Sequence, residues 1–224
     1  MLDEQFKQFC KEKEAFETAR WAIESVLEVE VLTHDVFDPC VGLGALTRVA
    51  RAEGYEVYGC DIYDWGANAD GHLRSYVVCN FLSGNVVQDL RGFTVVMNPP
   101  FSLACQFVDK ARELGARKII CFQRQAWRES LDRRTWWEEN PPARVWVCGA
   151  RAACWRFDML ACKHRDAATP CPNIKRKAKA NPEYGGCKRC MGSTPTSHAW
   201  FVWERGHKGA EVTSAIYPTE ELTT

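Results

Sequence analysis

From Asp35 to Asp61 the chain reads as one strand–turn–helix–strand unit, and no other stretch restricts its fold as much. Asp35–Asp38 is a short strand ending in an acid, and Pro39-Cys40-Val41-Gly42-Leu43-Gly44 is a turn carrying two glycines. Ala45–Glu53 reads as a helix closed by Gly54, and Glu56–Cys60 as a second strand ending at Asp61. Two strands joined through a helix lie parallel in one sheet, with a right-handed crossover. More strands are expected at Tyr76–Cys79, Thr94–Met97, Lys118–Phe122, Arg144–Cys148 and His198–Glu204. Helices are expected over Leu103–Leu114, capped by Ser102, and over Trp127–Asn140, stopped by Pro141-Pro142. This alternation predicts an α/β fold built on a mainly parallel sheet with helices on both faces. Ahead of it, residues 3–17 read as a charged leading helix with Phe6, Phe9 and Phe16 as its apolar stripe. Thr18 is placed to cap a second helix running to Leu27.

The strand Thr94–Met97 ends in Asn98-Pro99-Pro100-Phe101. Proline lacks an N–H and fixes φ, so two in succession stop a strand and stiffen the loop that follows. An amide and an aromatic ring are thereby held at a strand's carboxyl end, where open α/β sheets bind ligands. Alone, Asn-Pro-Pro is better read as a plain strand stop with an Asn cap for the next helix. The glycine turn upstream is also weak alone, since position 47 is Thr where a dinucleotide fingerprint has a third glycine. Glycines 42 and 44 permit close backbone approach to a ligand. Asp38 is placed to accept from a cofactor amine or to order the loop, and Asp61 to take both hydroxyls of a ribose. The three features in order are far more specific than any one of them.

In that order, Asp38–Gly44, Asp61 and Asn98–Phe101 resemble three motifs of class I S-adenosylmethionine-dependent methyltransferases, and more narrowly those of DNA adenine-N6 methyltransferases. Thr18–Leu27 is similar to the segment that in such enzymes precedes the glycine loop and closes over the methionine end of the cofactor. Gly115–Lys118, Pro142–Val147 and Ala199–Gly206 look like a small phage and prophage group. The resemblance spans about residues 16–150 and 197–210 and implies a Rossmann-like class I methyltransferase sheet. It implies S-adenosylmethionine held by Thr18, Trp21, Asp38, Pro39, Gly42, Gly44, Asp61, Ile62, Asn80, Phe81 and Asn98. Asn80 stands where the family commonly has an acid facing the adenine of the cofactor. The catalytic set implied is Asn98, Pro99, Pro100 and Phe101. An adenine amine is a poor nucleophile because its lone pair is delocalised into the ring. Acceptors at the Asn98 side chain and the Pro99 carbonyl would return density to it, while Phe101 stacks on a base flipped out of duplex DNA. The same loop serves methyltransferases acting on protein glutamine, RNA bases or cytosine N4, and a catalytically weak nucleic-acid-binding protein would keep the same fold.

Composition matters for the last third. Across the 224 residues Lys/Arg and Asp/Glu balance to a net charge of zero. Residues 151–190, however, hold ten Lys/Arg against three acids, so a basic segment sits on an otherwise acidic chain. That segment also carries Cys162, Cys171, Cys187 and Cys190. The Cys187-x2-Cys190 knuckle suits a structural Zn²⁺ with Cys162 and Cys171 as partners, and Cys154, His164 and His198 are alternative ligands. A basic loop with incidental cysteines, or a redox pair, are the competing readings. We therefore expect residues 1–150 and 198–224 to form the methyltransferase domain. Residues 151–197 would be a zinc-binding lobe that recognises the target, with Lys175, Arg176, Lys177 and Lys179 meeting phosphates. Arg124, Arg128, Arg133 and Arg134 either line the same groove or decorate a helix anchored by Trp127. The other eight cysteines are spread singly through apolar runs, and the chain starts with no signal peptide and has no membrane-length apolar run. Such a pattern reads as a protein of the reducing cytoplasm.

Overall fold

The computed structural model describes residues 4–83, 87, 89–152, 154–157, 180–181, 186–187 and 196–218. Its elements in chain order are α1 (Glu4–Glu12), β1 (Phe16–Thr18), α2 (Arg20–Val29), β2 (Asp35–Asp38), α3 (Ala45–Ala52), β3 (Glu56–Asp61), β4 (Ser75–Val78) and β5 (Thr94–Met97). They continue with α4 (Ala104–Glu113), β6 (Lys118–Arg124), α5 (Arg134–Glu139), β7 (Arg144–Cys148), β8 (Cys154–Arg156), β9 (Ala180–Asn181), β10 (Gly186–Cys187), β11 (His198–Glu204) and β12 (Val212–Ile216). Two compact units emerge: Thr18–Ala152 with Thr196–Thr224, and Met1–Glu17 with Ala153–Pro195.

The larger unit holds one sheet of eight strands in the order β12-β7-β11-β6-β5-β2-β3-β4. From β4 to β6 neighbouring strands are parallel, as the crossover units require. β11 enters antiparallel between β6 and β7, and β12 adds a parallel edge to β7. β11 is buried from His198 to Trp203 and lies between two strands, so its side chains alternate between the two layers of helices. Phe201 and Trp203 join the core beside α4, whereas the indole N–H of Trp200 donates to the Ala22 carbonyl of α2 at 2.9 Å. Because the chain runs β2, β3, β4 outward and returns to β5 on the other side of β2, the strand order reverses between β2 and β5. Loops leaving two such strands diverge to opposite faces and leave a crevice at their carboxyl ends.

Four expectations for secondary structure are corrected. The leading helix stops at Glu12; Glu14 takes a left-handed φ of +49°, and Phe16–Thr18 become strand, paired with β8. Thr18 does not cap α2: Ala19 holds the cap position without a side-chain bond, because the Thr18 hydroxyl is used elsewhere. Ser102 does not cap α4 either; the N-cap is Leu103. The helix expected over Trp127–Asn140 is two tight turns and the short α5. There the Trp127 carbonyl accepts from the Arg133 guanidinium at 2.8 and 3.1 Å, and the indoles of Trp127, Trp136, Trp137 and Trp203 cluster, mostly edge to face with Trp137 stacked on Trp203. Burying that aromatic group outweighs a regular helix. Residues 1–17 also group by contacts with Ala153–Pro195 rather than with the sheet they precede in sequence.

The smaller unit contains α1, the β1–β8 pair and the antiparallel β9–β10 pair. Cys162, Cys171 and Cys190 lie outside the described residues, as do Lys175, Arg176, Lys177 and Lys179, and of Cys187 only the backbone is described. Among the described residues no three His, Cys, Asp or Glu side chains are grouped to hold a metal, and no helix is long and apolar enough to cross a membrane.

Candidate functional site

Two loops flank the reversal between β2 and β5. The first leaves β2 at Asp38 and turns through Gly42 (φ +57°) and Gly44 (φ +90°), left-handed positions that an L side chain rarely adopts. It is clamped to β3, since the Val41 amide donates to the Cys60 carbonyl at 3.1 Å. Gly59 makes this approach possible: a Cβ there would lie 2.9 Å from the Asp38 carbonyl oxygen and collide with Val41.

Both acids of the first unit face this loop. The Cys40 amide donates to Asp38 Oδ1 at 3.0 Å, and the Gly42 amide to Asp61 Oδ2 at 2.9 Å. Asp61 Oδ1 accepts from the Tyr63 amide at 3.0 Å and from the Trp65 indole at 3.1 Å. Both carboxyls are buried, and neither has an ion pair among the described residues. Burial, and behind it the neighbouring Asp61, raises Asp38 from 3.8 to about 7; burial raises Asp61 too, against the bonds from Tyr63, Gly42 and Trp65. Among the described residues these two buried carboxyls have no cation partner, an arrangement that suits a ligand bringing positive charge. Cys40 is no nucleophile: desolvation and the nearby acids hold its thiol far above the usual range.

The second loop leaves β5 at Asn98. The Asn98 amide nitrogen donates to Thr18 Oγ1 at 2.9 Å, and the buried Gln123 amide donates to the Pro99 carbonyl at 3.3 Å. The Leu103 amide closes a turn on the Pro100 carbonyl at 2.9 Å. The Arg124 guanidinium carbon sits 4.7 Å from the centre of the Phe101 ring, and the His198 ring lies 6.2 Å away on β11. His198 stacks on Phe122 at 5.0 Å and 14°. Burial lowers it to about 4 against a hydrogen bond to the Ala152 backbone, so it is neutral near pH 7, and among the described residues its buried Nδ1 has no partner.

The structure thus brings Thr18, Asp38, Pro39, Gly42, Gly44, Asp61, Asn98, Pro99, Pro100 and Phe101 to the loops beside one reversal point. Trp21 is half-buried on α2, and Ile62, half-exposed, follows Asp61. Phe81 is corrected: it is 3% exposed, its ring 6.0 Å from Phe37 and 5.5 Å from Phe107, so it belongs to the core. Asn80 spends its side-chain oxygen on the Leu82 amide at 3.0 Å, capping a tight turn. Of the four arginines, only Arg124 reaches the Asn-Pro-Pro-Phe loop. Arg128 pairs with Glu211 and lies over Trp137, Arg133 holds Trp127, and Arg134 pairs with Glu138. Sequence reasoning missed Gln123 and Trp65. A lone amide ending the apolar run Ile119–Phe122 is a signal for the first; nothing in the sequence marks the second.

The eight-stranded sheet, parallel from β4 to β6 with β11 antiparallel beside β6, is a Rossmann-like α/β sheet. No family model and no curated protein matches the sequence. Among solved structures the chain is similar to a predicted O-methyltransferase from Agrobacterium tumefaciens, at 12% identity over 89% of this chain and 86% of that one, with a TM-score of 0.49. A TehB-like SAM-dependent methyltransferase from Corynebacterium glutamicum matches at 9% identity over 90% and 97% of the two chains, with a TM-score of 0.48. The tRNA (uracil-54, C5)-methyltransferase from Pyrococcus abyssi, in complex with S-adenosyl-L-homocysteine, matches at 14% identity and a TM-score of 0.46. The match covers 80% of this chain but 36% of that one.

Proposed function

We propose that this protein transfers a methyl group from S-adenosylmethionine to the exocyclic N6 of adenine in DNA. The observation that carries the reading is the Asn98–Phe101 loop at the carboxyl end of β5, across the strand reversal from the glycine turn and its two buried acids. Asp38 and Asp61, with the backbone of Pro39–Gly44, would hold the cofactor. When bound, that group supplies an activated methyl and its own leaving group. The residues of the chain need only bind, orient and exclude water.

Asn98 donates its amide nitrogen to Thr18, which fixes the side-chain amide, and its oxygen would accept an amine hydrogen of the base. The Pro99 carbonyl offers the second acceptor from a loop that two prolines keep rigid. Two acceptors on one nitrogen favour its pyramidal form and return the lone pair to it. The nitrogen gains the methyl and gives up a proton to solvent. A base stacking on Phe101 has to displace the Arg124 guanidinium, another flat, π-stacking group, from the ring. Adenine in DNA is favoured over other targets by the resemblance of the Asn-Pro-Pro-Phe loop, and a nucleic-acid substrate by the basic segment 151–190.

The test is transfer of tritiated methyl to unmethylated duplex DNA. Wild type should label it, and Asn98→Ala should lower kcat roughly 100- to 1000-fold, the usual cost of losing one charge-stabilising contact in a transition state. Labelling of RNA or protein in place of DNA would overturn the substrate. Absence of labelling in all three, with the cofactor bound, would leave a binding protein on an enzyme's fold.

A further inference from the structure

We infer that Gln123 is a positioning residue: its side-chain amide sets the direction of the Pro99 carbonyl, so that this carbonyl and Asn98 converge on the same acceptor nitrogen. The inference rests on the methyl-transfer reading above and extends it to a residue on a different strand.

Gln123 is an anomaly where it stands. Lys118–Phe122 ahead of it on β6 are buried, with Ile119, Ile120, Cys121 and Phe122 all apolar, and β11 beside it contributes Ala199 at the paired position. Gln123 is itself 1% exposed. A buried primary amide loses its water on folding and repays that only through protein partners. A leucine or methionine of similar size would fill the space without that cost. The Gln123 amide donates to Pro99 O at 3.3 Å, and the same side chain also meets the Cys121 thiol on its own strand. The Pro99 oxygen belongs to a peptide whose neighbourhood has few other means of control. Neither Pro99 nor Pro100 carries an N–H, so no ladder bond from this pair locks the plane between them.

A carbonyl oxygen has two lone pairs. With Gln123 on one, the other direction is determined, and the acceptor is presented to substrate already oriented rather than found by rotation. The pairing is matched on the other side of the loop, where Thr18 receives the Asn98 amide at 2.9 Å. Each of the two acceptors thus has its own anchor, one from the strand before α2 and one from β6. Because the anchor bears on the acceptor and not on the glycine turn, it should act on the methyl-transfer step and leave cofactor binding alone.

Two variants of like volume separate this from a packing role: Gln123→Met, which keeps the bulk and removes the donor, and Gln123→Glu, which donates only while protonated. Each is assayed for methyl transfer to unmethylated DNA across pH and for S-adenosylmethionine binding by calorimetry. The expected result for Gln123→Met is a kcat lowered roughly three- to tenfold, the worth of one neutral hydrogen bond, with cofactor Kd unchanged. Gln123→Glu should approach the wild-type rate at low pH and lose it as the carboxyl ionises beside the Pro99 oxygen, a fall absent from wild type. A wild-type kcat in Gln123→Met, or a Gln123→Glu pH profile identical to wild type, overturns the inference. So does loss of cofactor binding in both variants, which would assign Gln123 to the fold of the sheet. An inactive wild type would sink the methyl-transfer reading, and the inference with it. An active wild type alongside an unaffected Gln123→Met sinks the inference alone.

Discussion

Asp38 carries the sharpest pH dependence in the site. Its carboxyl is raised from 3.8 to about 7 by burial and by Asp61, so the folded protein holds this proton more tightly than the unfolded chain. Between those values the folded state binds more protons, and the stability contributed by Asp38 is full below 3.8 and lost as pH rises through 7. Binding of a cationic cofactor runs the other way, since it needs the ionised carboxyl. Cofactor Kd should therefore rise by up to about tenfold for each pH unit below 7 and level off above it. Asp38→Asn should bind more weakly at pH 8 and show no such slope. Calorimetric titration at several pH values checks both, and a slope that survives in Asp38→Asn would assign the proton elsewhere.

Among the elements, the ends of the strands remote from the site are tied by a buried charged group. Glu30, following α2, accepts from Lys118 at the start of β6 at 2.7 Å, from Arg144 at the start of β7 and from the Trp146 indole at 2.8 Å. Arg144 also reaches Glu204 at the end of β11, at 2.7 Å. One carboxylate thus ties α2 to β6 and β7, and the second arginine contact adds β11. Burial pushes Glu30 up, but its bonds from Arg144, Lys118 and Trp146 outweigh that and hold it below the ordinary 4.5. The sign is the reverse of that for Asp38: this stabilisation is present above 4.5 and disappears as pH falls through the lowered value. Glu30→Ala leaves Lys118 and Arg144 beside an empty space and should cost about 3 kcal/mol. A shift of the urea midpoint to lower concentration at pH 7, shrinking toward zero at low pH, is the expected result. An unchanged midpoint would mean that the cations reach solvent at no cost.

For the molecule as a whole, the open matter is how the acidic sheet and the basic, cysteine-rich segment share the work. The reading from spacing remains a proposal: Cys162, Cys171, Cys187 and Cys190 hold one structural Zn²⁺ that stiffens the lobe meeting DNA. Metal analysis of the purified protein should find about one zinc per chain. Removing it with a chelator should weaken DNA binding and leave cofactor binding by the sheet intact. A metal-free protein with undiminished DNA affinity would remove the zinc and return the segment to a basic loop.

The main strands along the chain, the glycine turn and the Asn-Pro-Pro-Phe loop were legible because each rests on local chemistry: apolar runs of strand length, glycine where φ is positive, and proline where an N–H must be missing. Asp38, Gly42, Gly44, Asp61 and Asn98 could be named as candidates from that alone. What the sequence could not reveal depends on residues far apart in the chain. Thr18 has every local property of a helix cap, yet its hydroxyl meets Asn98, 80 residues on. Phe81 follows a strand end and looks ready for a ligand, yet Phe37 and Phe107 close around it. β12 shows no alternation to betray it, because as an edge strand it is largely exposed along its length. Gln123 becomes visible as a partner of Pro99 only when β6 is laid beside β5. Local propensity is a matter of tenths of a kcal/mol, whereas an unmet buried polar group costs about 1–3 kcal/mol, so where the two conflict the tertiary partner decides.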